Sequence, residues 1–170
     1  MIPTTVAAME AVQWHVAHTK PRCEKKLARF AADMNVSVTL PLHKVSHQYL
    51  RKKVTFEKPL FPGYVFLRMP ATERQKLYQS GLVANLLEVI DQVLFQEQLE
   101  VILKALESGL DMQLAPEITP GKRVRILSGP LQGVEGTVEE RHGVTRILLR
   151  VDFISQAAAV RFEADQLELL

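Results

Sequence analysis

With a single cysteine, Cys23, in 170 residues, the chain cannot close an internal disulfide, which excludes a small cross-linked scaffold. It also lacks a long apolar run. Glu88 and Asp91 interrupt the best candidate, Leu82 to Leu94, whereas a bilayer-spanning helix needs about 18 or more apolar residues in succession. No positive charge precedes the first apolar residues, and no small-residue cleavage site follows them, so no secretory signal is expected. The phosphate loop ending in Gly-Lys-Ser/Thr, His-Glu-x-x-His and Gly-x-Ser-x-Gly are missing too. These absences lead to the expectation of a soluble, cytoplasmic monomer that acts by binding rather than by catalysis, with no cofactor, no metal and no membrane contact.

What is present is enough to fold. Apolar residues make up 47% and charged residues 24%, a balance that builds a hydrophobic core. The length suits one ordinary domain or two small ones. The net charge of +2 conceals three zones. Between Trp14 and Lys58 there are ten Lys or Arg against three acids, and from Leu82 to Thr119 there are seven acids against Lys104 alone. From Pro120 to Leu170 the signs balance, seven and seven. Zones of different charge suit different partners, although solvated faces give the same counts.

The first twelve residues show no period and read as a loose tail. Trp14 to Thr19 predicts a short strand, after which Thr19 offers an oxygen to cap a helix carrying Pro21 in its first turn. In that helix Cys23, Leu27, Phe30 and Met34 form one apolar stripe, and Arg22, Lys25, Lys26 and Arg29 a basic one. Strands are expected at Val36 to Leu42, Val54 to Phe56 and Tyr64 to Met69, with the polar stretch His43 to Lys53 as a loop or hairpin tip. Then come a short helix at Thr72 to Gln79, a strand at Leu82 to Ile90, and a helix at Phe95 to Leu106 with Leu99, Ile102, Leu103 and Leu106 on one face. The expected division is a first domain over 12–108, a linker over 109–119 and a second domain over 120–170. The second domain alternates apolar and polar residues, as in Ile147, Leu149, Val151 and Phe153 against Arg146, Leu148, Arg150 and Asp152. With turns at Ser128-Gly129-Pro130 and His142-Gly143, it predicts a small barrel of about five strands, one face buried and the other wet.

Two motifs point to a family. Pro120-Gly121-Lys122-Arg123-Val124-Arg125-Ile126 through Gly133-Val134-Glu135-Gly136-Thr137-Val138 resembles a KOW motif. Upstream, Trp14-His15-Val16-Ala17-His18-Thr19-Lys20-Pro21-Arg22 and Pro59-Leu60-Phe61-Pro62-Gly63-Tyr64-Val65-Phe66-Leu67 are similar to the two signatures of the NusG N-terminal domain. The resemblance, covering Trp14 to Leu170, is to the NusG family of transcription elongation factors. It implies an α+β fold: an N-terminal antiparallel sheet with flanking helices, then a five-stranded SH3-like β-barrel. It also implies a first domain that binds RNA polymerase and a KOW domain that recruits a further factor, Rho or a small-subunit ribosomal protein. Lys20-Pro21-Arg22 and Pro59-Leu60-Phe61-Pro62 resemble specialised members of the RfaH and UpxY kind, which favours an antiterminator over a housekeeping factor coupling polymerase to Rho or the ribosome. KOW barrels also occur in ribosomal proteins, so a ribosome-associated RNA-binding protein is a further alternative.

The resemblance assigns candidate residues. Trp14, Phe61, Pro62, Tyr64 and Phe66 would form an apolar, solvent-open surface for polymerase, the alternative being that they are core. Tyr64 and Phe66 share one strand face and Val65 and Leu67 the other, so only one set need be buried. His43, Lys44, His47, Gln48, Tyr49, Arg51, Lys52 and Lys53 would meet the non-template DNA strand, the alternative being a solvated loop. Arg22 and Lys26 on the basic helix flank are further nucleic-acid candidates. In the KOW loop, Pro130, Leu131 and Gln132 are the partner-binding candidates, with Leu131 standing where relatives often carry an aromatic residue. His43 and His47 are spaced by four, yet a metal needs about three protein ligands, so they are read as unligated. Cys23 is read as packed rather than reactive.

Overall fold

Strand β1 (Gln13–Thr19) is the spine of the N-terminal sheet. In the computed structural model, which describes residues 11–115, 121–141 and 144–170, it lies between β5 (Tyr64–Met69) and β6 (Val83–Glu88), with β2 (Ser37–Thr39) on the outer side of β5. All three pairings are antiparallel. The chain divides into two compact units, one holding the described residues through Leu40 with Gly63–Ile90, the other Pro41–Pro62 with Asp91–Leu170.

In the first unit, α1 (Glu24–Asp33) and α2 (Arg74–Gln79) supply the apolar cover of the sheet. Leu27, Ala31 and Leu77 join Ala17, Val65, Leu67, Met69 and Leu86 in one core, with Phe30 and Met34 packed at its margin. The predicted apolar stripe of α1 is therefore the buried face, and Lys25, Lys26 and Arg29 are exposed. Its start differs from the expectation. Thr19 is buried at the end of β1, where its N–H donates to the Gly63 carbonyl at 2.8 Å. Cys23 precedes the helix without a side-chain cap, and Arg22, at φ +59°, stands outside it in a left-handed conformation that a helix cannot continue through. Pairing with neighbouring strands outweighs the capping preference of Thr19. Gly63 takes φ +87°, and its N–H donates to Glu24 Oε1 at 2.9 Å. The Pro62-Gly63 turn is thereby tied to the head of α1.

The second unit begins with a hairpin, β3 (Leu42–Tyr49) and β4 (Lys52–Pro59), closed by Leu50 and Arg51. The stretch 43–53, expected as a loop or hairpin tip, thus belongs to a hairpin and is mostly strand. Helix α3 (Gln92–Glu107) follows, capped by Asp91, which accepts the Leu94 N–H. Next comes β7 (Met112–Ala115) inside the expected linker, paired with β11 (Gln156–Arg161). Five strands of the C-terminal region complete a six-stranded antiparallel sheet ordered β12-β8-β9-β10-β11-β7, with β8 (Arg123–Ile126), β9 (Glu135–Arg141), β10 (Val144–Val151) and β12 (Leu167–Leu169). The fold is α+β, as expected. The expected turn at His142-Gly143 and the loose tail through residue 10 lie outside the described residues.

The expectation of one wet face in the C-terminal sheet needs correction. Leu148 is buried together with Ala157 and Ala159, because β10 and β11 carry small and apolar residues on both faces. Helix α3 lies against this region: the Gln98 amide donates to Asp152 Oδ2 at 2.7 Å and accepts the Asp152 N–H at 2.9 Å. The Phe95 and Phe153 rings meet edge to face at 6.3 Å.

On β8 and β9, Arg123 and Arg125 each donate to Glu135 at 2.8 Å. The hydrogen bond from Arg125 holds the Glu135 carboxyl below its ordinary range; desolvation opposes this, and the charges of Arg125 and Arg123 assist it. A lowered carboxylate pKa contributes stability that is complete above the ordinary value and is lost as pH falls through the lowered one. Glu135→Gln should therefore melt slightly below the parent at neutral pH, and the gap should close under acid. Thermal melts across that range check it; a gap that persists would assign the effect to packing.

Candidate nucleic-acid and protein interfaces

The β3–β4 hairpin carries its charge at the tip and along both faces. In the register Tyr49–Lys52, His47–Val54, Val45–Phe56 and His43–Lys58, these eight residues share one face. Lys44, Ser46 and Gln48 face the other way with Glu57, Thr55 and Lys53. Residues Arg51 through Lys58 are all exposed, as are Lys44, His47, Gln48 and Tyr49. The only acid in the hairpin, Glu57, stands across from Lys44 and away from the tip. On the first face the His47 ring lies 6.2 Å from Tyr49 and 6.1 Å from Phe56, so three rings are grouped between Lys52 and Lys58. At the hairpin's base His43 Nδ1 donates to the Met112 carbonyl at 3.2 Å, anchoring it to β7.

This arrangement collects eight of the ten expected nucleic-acid residues, all but Arg22 and Lys26, into one element and adds Phe56, Val54 and Lys58. The signal for the additions was available: Val54 and Phe56 alternate with polar residues on a strand complementary to Val45 and His47. His43 and His47 share a face, but His43 is engaged by a backbone carbonyl. Arg22 and Lys26 are exposed at the head of α1, apart in sequence and element from the hairpin.

The aromatic residues expected at a solvent-open surface divide sharply. Phe61 is 1% exposed and Phe66 0%, so the expectation that these two belong to a solvent-open surface is corrected. On β5, Val65, Phe66 and Leu67 are all buried; strand alternation predicts one covered face, and here both are covered. Tyr64 and Trp14 are half-buried and Pro62 is exposed. Tyr64 stacks on His18, the ring centroids 5.3 Å apart and the planes at 24°. Trp14, His18 and Tyr64 lie on one face of the β1–β5 pair.

In the KOW loop Pro130 and Gln132 are exposed, but Leu131 is fully buried. The loop closes through Gln132 N–H to the Gly129 carbonyl and Val134 N–H to the Leu131 carbonyl, at 3.1 and 3.0 Å, which turns Leu131 inward. Leu131 is therefore a packing residue of the folded loop, and of the three candidates only Pro130 and Gln132 are exposed. Cys23 is half-buried, its thiol 3.4 Å from the Pro21 carbonyl.

Among the described residues no helix is long and apolar enough to cross a membrane. Residues 12–105 match the family model described as transcription termination factor nusG. The chain is 27% identical over 148 residues to the transcription termination/antitermination protein NusG of Lactococcus lactis, covering 81% of this chain and 77% of that one. It is 23% identical over 175 residues to the protein of the same name from Pseudomonas aeruginosa, covering 93% and 98%. A solved structure of Thermotoga maritima NusG aligns with 92% of this chain and 96% of its own, at 19% identity and a TM-score of 0.48.

Proposed function

Because this chain belongs to the NusG family of transcription termination and antitermination proteins, we propose that it is an elongation and antitermination factor that rides on RNA polymerase. Its effect comes from binding energy rather than bond chemistry. The first unit presents Trp14, His18 and Tyr64 to the polymerase, and aromatic anchors of this kind concentrate binding energy at protein interfaces. Phe61 and Phe66 would join that surface only after a rearrangement that exposes them. The hairpin reaches the non-template DNA strand, and the KOW loop recruits a further factor, Rho or a small-subunit ribosomal protein, through Pro130 and Gln132.

The observation that carries this reading is the hairpin, an extended arm whose only acid stands away from the tip cations and whose rings are open to solvent. Such an arm suits a polyanion with exposed bases. An operon-limited role is favoured over a housekeeping one by Lys20-Pro21-Arg22 and by the inward turn of Leu131, which leaves the KOW loop without a large apolar contact.

Core polymerase should co-purify with the chain, ribosomal subunits should not, and chromosomal occupancy should be confined to few operons. Replacing Tyr64 with Ala should weaken polymerase binding about ten-fold, the scale of losing one aromatic anchor. A Tyr64→Ala chain that melts like the parent and binds polymerase equally well would remove the docking surface; occupancy across the whole genome would return the housekeeping reading.

A further inference from the structure

Leu50, at the hairpin tip, is 99% exposed. Its backbone takes φ +53°, a left-handed conformation that costs a leucine energy and that hairpin turns usually assign to glycine or asparagine. The side chain therefore packs against none of the described residues and strains the turn it occupies. Neither cost is repaid within the hairpin, so its use must lie with a partner.

The neighbours say what kind. Tyr49 precedes Leu50 and is 58% exposed, and Arg51, Lys52 and Lys53 follow it, all exposed. An apolar protein groove would have to bury three cations beside the leucine, which is unfavourable without matching acids. Nucleic acid offers phosphates for the cations and base faces for the leucine and the tyrosine. Apolar side chains inserted between bases are an established means of unstacking them, and the cost of unstacking falls where pairing has already been lost.

We propose that Leu50 is a wedge that inserts beside the first unpaired base where a DNA duplex opens into single strands, with Tyr49 stacking alongside and Arg51, Lys52 and Lys53 holding the phosphates. The proposal rests on the reading of the hairpin as a DNA-facing arm, and it goes further by naming a junction, rather than duplex or free strand, as the preferred site. Inside a paired duplex the wedge must break a stack to enter. At the edge of a bubble that step is complete, so the leucine adds affinity there alone.

The test uses the full-length chain without polymerase, so its result is independent of the polymerase co-purification. The probes are a synthetic DNA bubble with a fluorescent purine analogue at its first unpaired position and a fully paired duplex of the same length. The parent chain should prefer the bubble and raise the analogue's fluorescence. Leu50→Ala and Leu50→Gly should bind the bubble about ten-fold more weakly, a loss of about 1.4 kcal/mol, abolish the fluorescence rise and leave duplex binding unchanged. Leu50→Met, which keeps the apolar bulk, should behave like the parent. Leu50→Gly also relieves the turn, so lost bubble binding in a hairpin at least as stable excludes misfolding as the cause. The wedge is overturned if Leu50→Ala keeps the bubble preference, if it weakens duplex and bubble alike, or if it leaves DNA binding intact while lowering polymerase co-purification, which would assign the tip to a protein pocket.

Discussion

Replacing Arg51, Lys52 and Lys53 together with alanine should weaken binding to a transcription complex about 100-fold at ~0.1 M salt and flatten its salt dependence. Each cation that neutralises a phosphate of a single strand adds about 0.7 to the slope of log affinity against log salt, so losing three removes about two units. The register puts Arg51 at the tip, Lys52 on the face of Tyr49 and His47, and Lys53 on the opposite face with Gln48. Three directions of approach are thus covered by adjacent residues. All three side chains are exposed, and surface changes of this kind shift stability by only about 0.5 kcal/mol or less. A loss of binding would therefore not be a loss of fold. Titrations at several salt concentrations decide it. Parallel slopes for parent and variant would mean that these cations touch no phosphate, and that the hairpin is a solvated arm.

The parts of the fold that sequence alone discloses are those in which one face is buried and the other is wet. The stripe of Leu27, Phe30 and Met34 announces α1, and Leu99, Ile102 and Leu106 announce α3, because helical periodicity records a single covered side. The hairpin leaves no such record. Val45, Val54 and Phe56 do alternate with polar residues, but both faces are largely exposed, so the alternation marks no covered side, and its turn uses Leu50 and Arg51 in place of the usual Asn-Gly. What locates it is charge: the cations at 51–53 mark a surface before they mark a strand. Thr19 and Met112–Ala115 were misleading for another reason, since their conformation is set by partners distant in sequence, Val83 and Gly63 for the first and β11 for the second.

Exposure is harder still to read from sequence. Phe61, Phe66, Leu131 and Leu148 are each apolar residues in segments that also carry exposed positions, and each is buried at 1% exposure or less. Nothing in the local pattern separates them from Phe56 at 41% or Leu50 at 99%. The difference lies in what packs on top, which is a property of the folded chain. The candidate DNA interface was thus visible as a set of cations and polar residues with His47 and Tyr49 among them, while the grouping of those rings with Phe56 and the exposure of Leu50 appear only once the two strands are paired.

Gly121→Ala should destabilise the C-terminal sheet by about 2–4 kcal/mol, far more than the same change at most exposed positions. A Cβ at residue 121 would stand 2.3 Å from the Val138 carbonyl oxygen and 3.0 Å from Thr137 Cγ2. The first contact is with backbone and cannot be relieved by a rotamer change. Moving Val138 away is also costly, because its own N–H donates to the Lys122 carbonyl at 2.8 Å, next to the substituted residue. Overpacking and the loss of that hydrogen bond therefore act together at the point where β8 enters its pairing with β9. By contrast, the corresponding Cβ at Gly129 or Gly133 meets nothing within 4 Å, so alanine there costs only its left-handed backbone, about 1 kcal/mol. A region of some fifty residues has little stability to spare, and a loss of this size lowers a small domain's midpoint by about 10 °C or more. Thermal melts of the three single-alanine variants give the comparison, and a Gly121→Ala midpoint no lower than the other two would refute the clash.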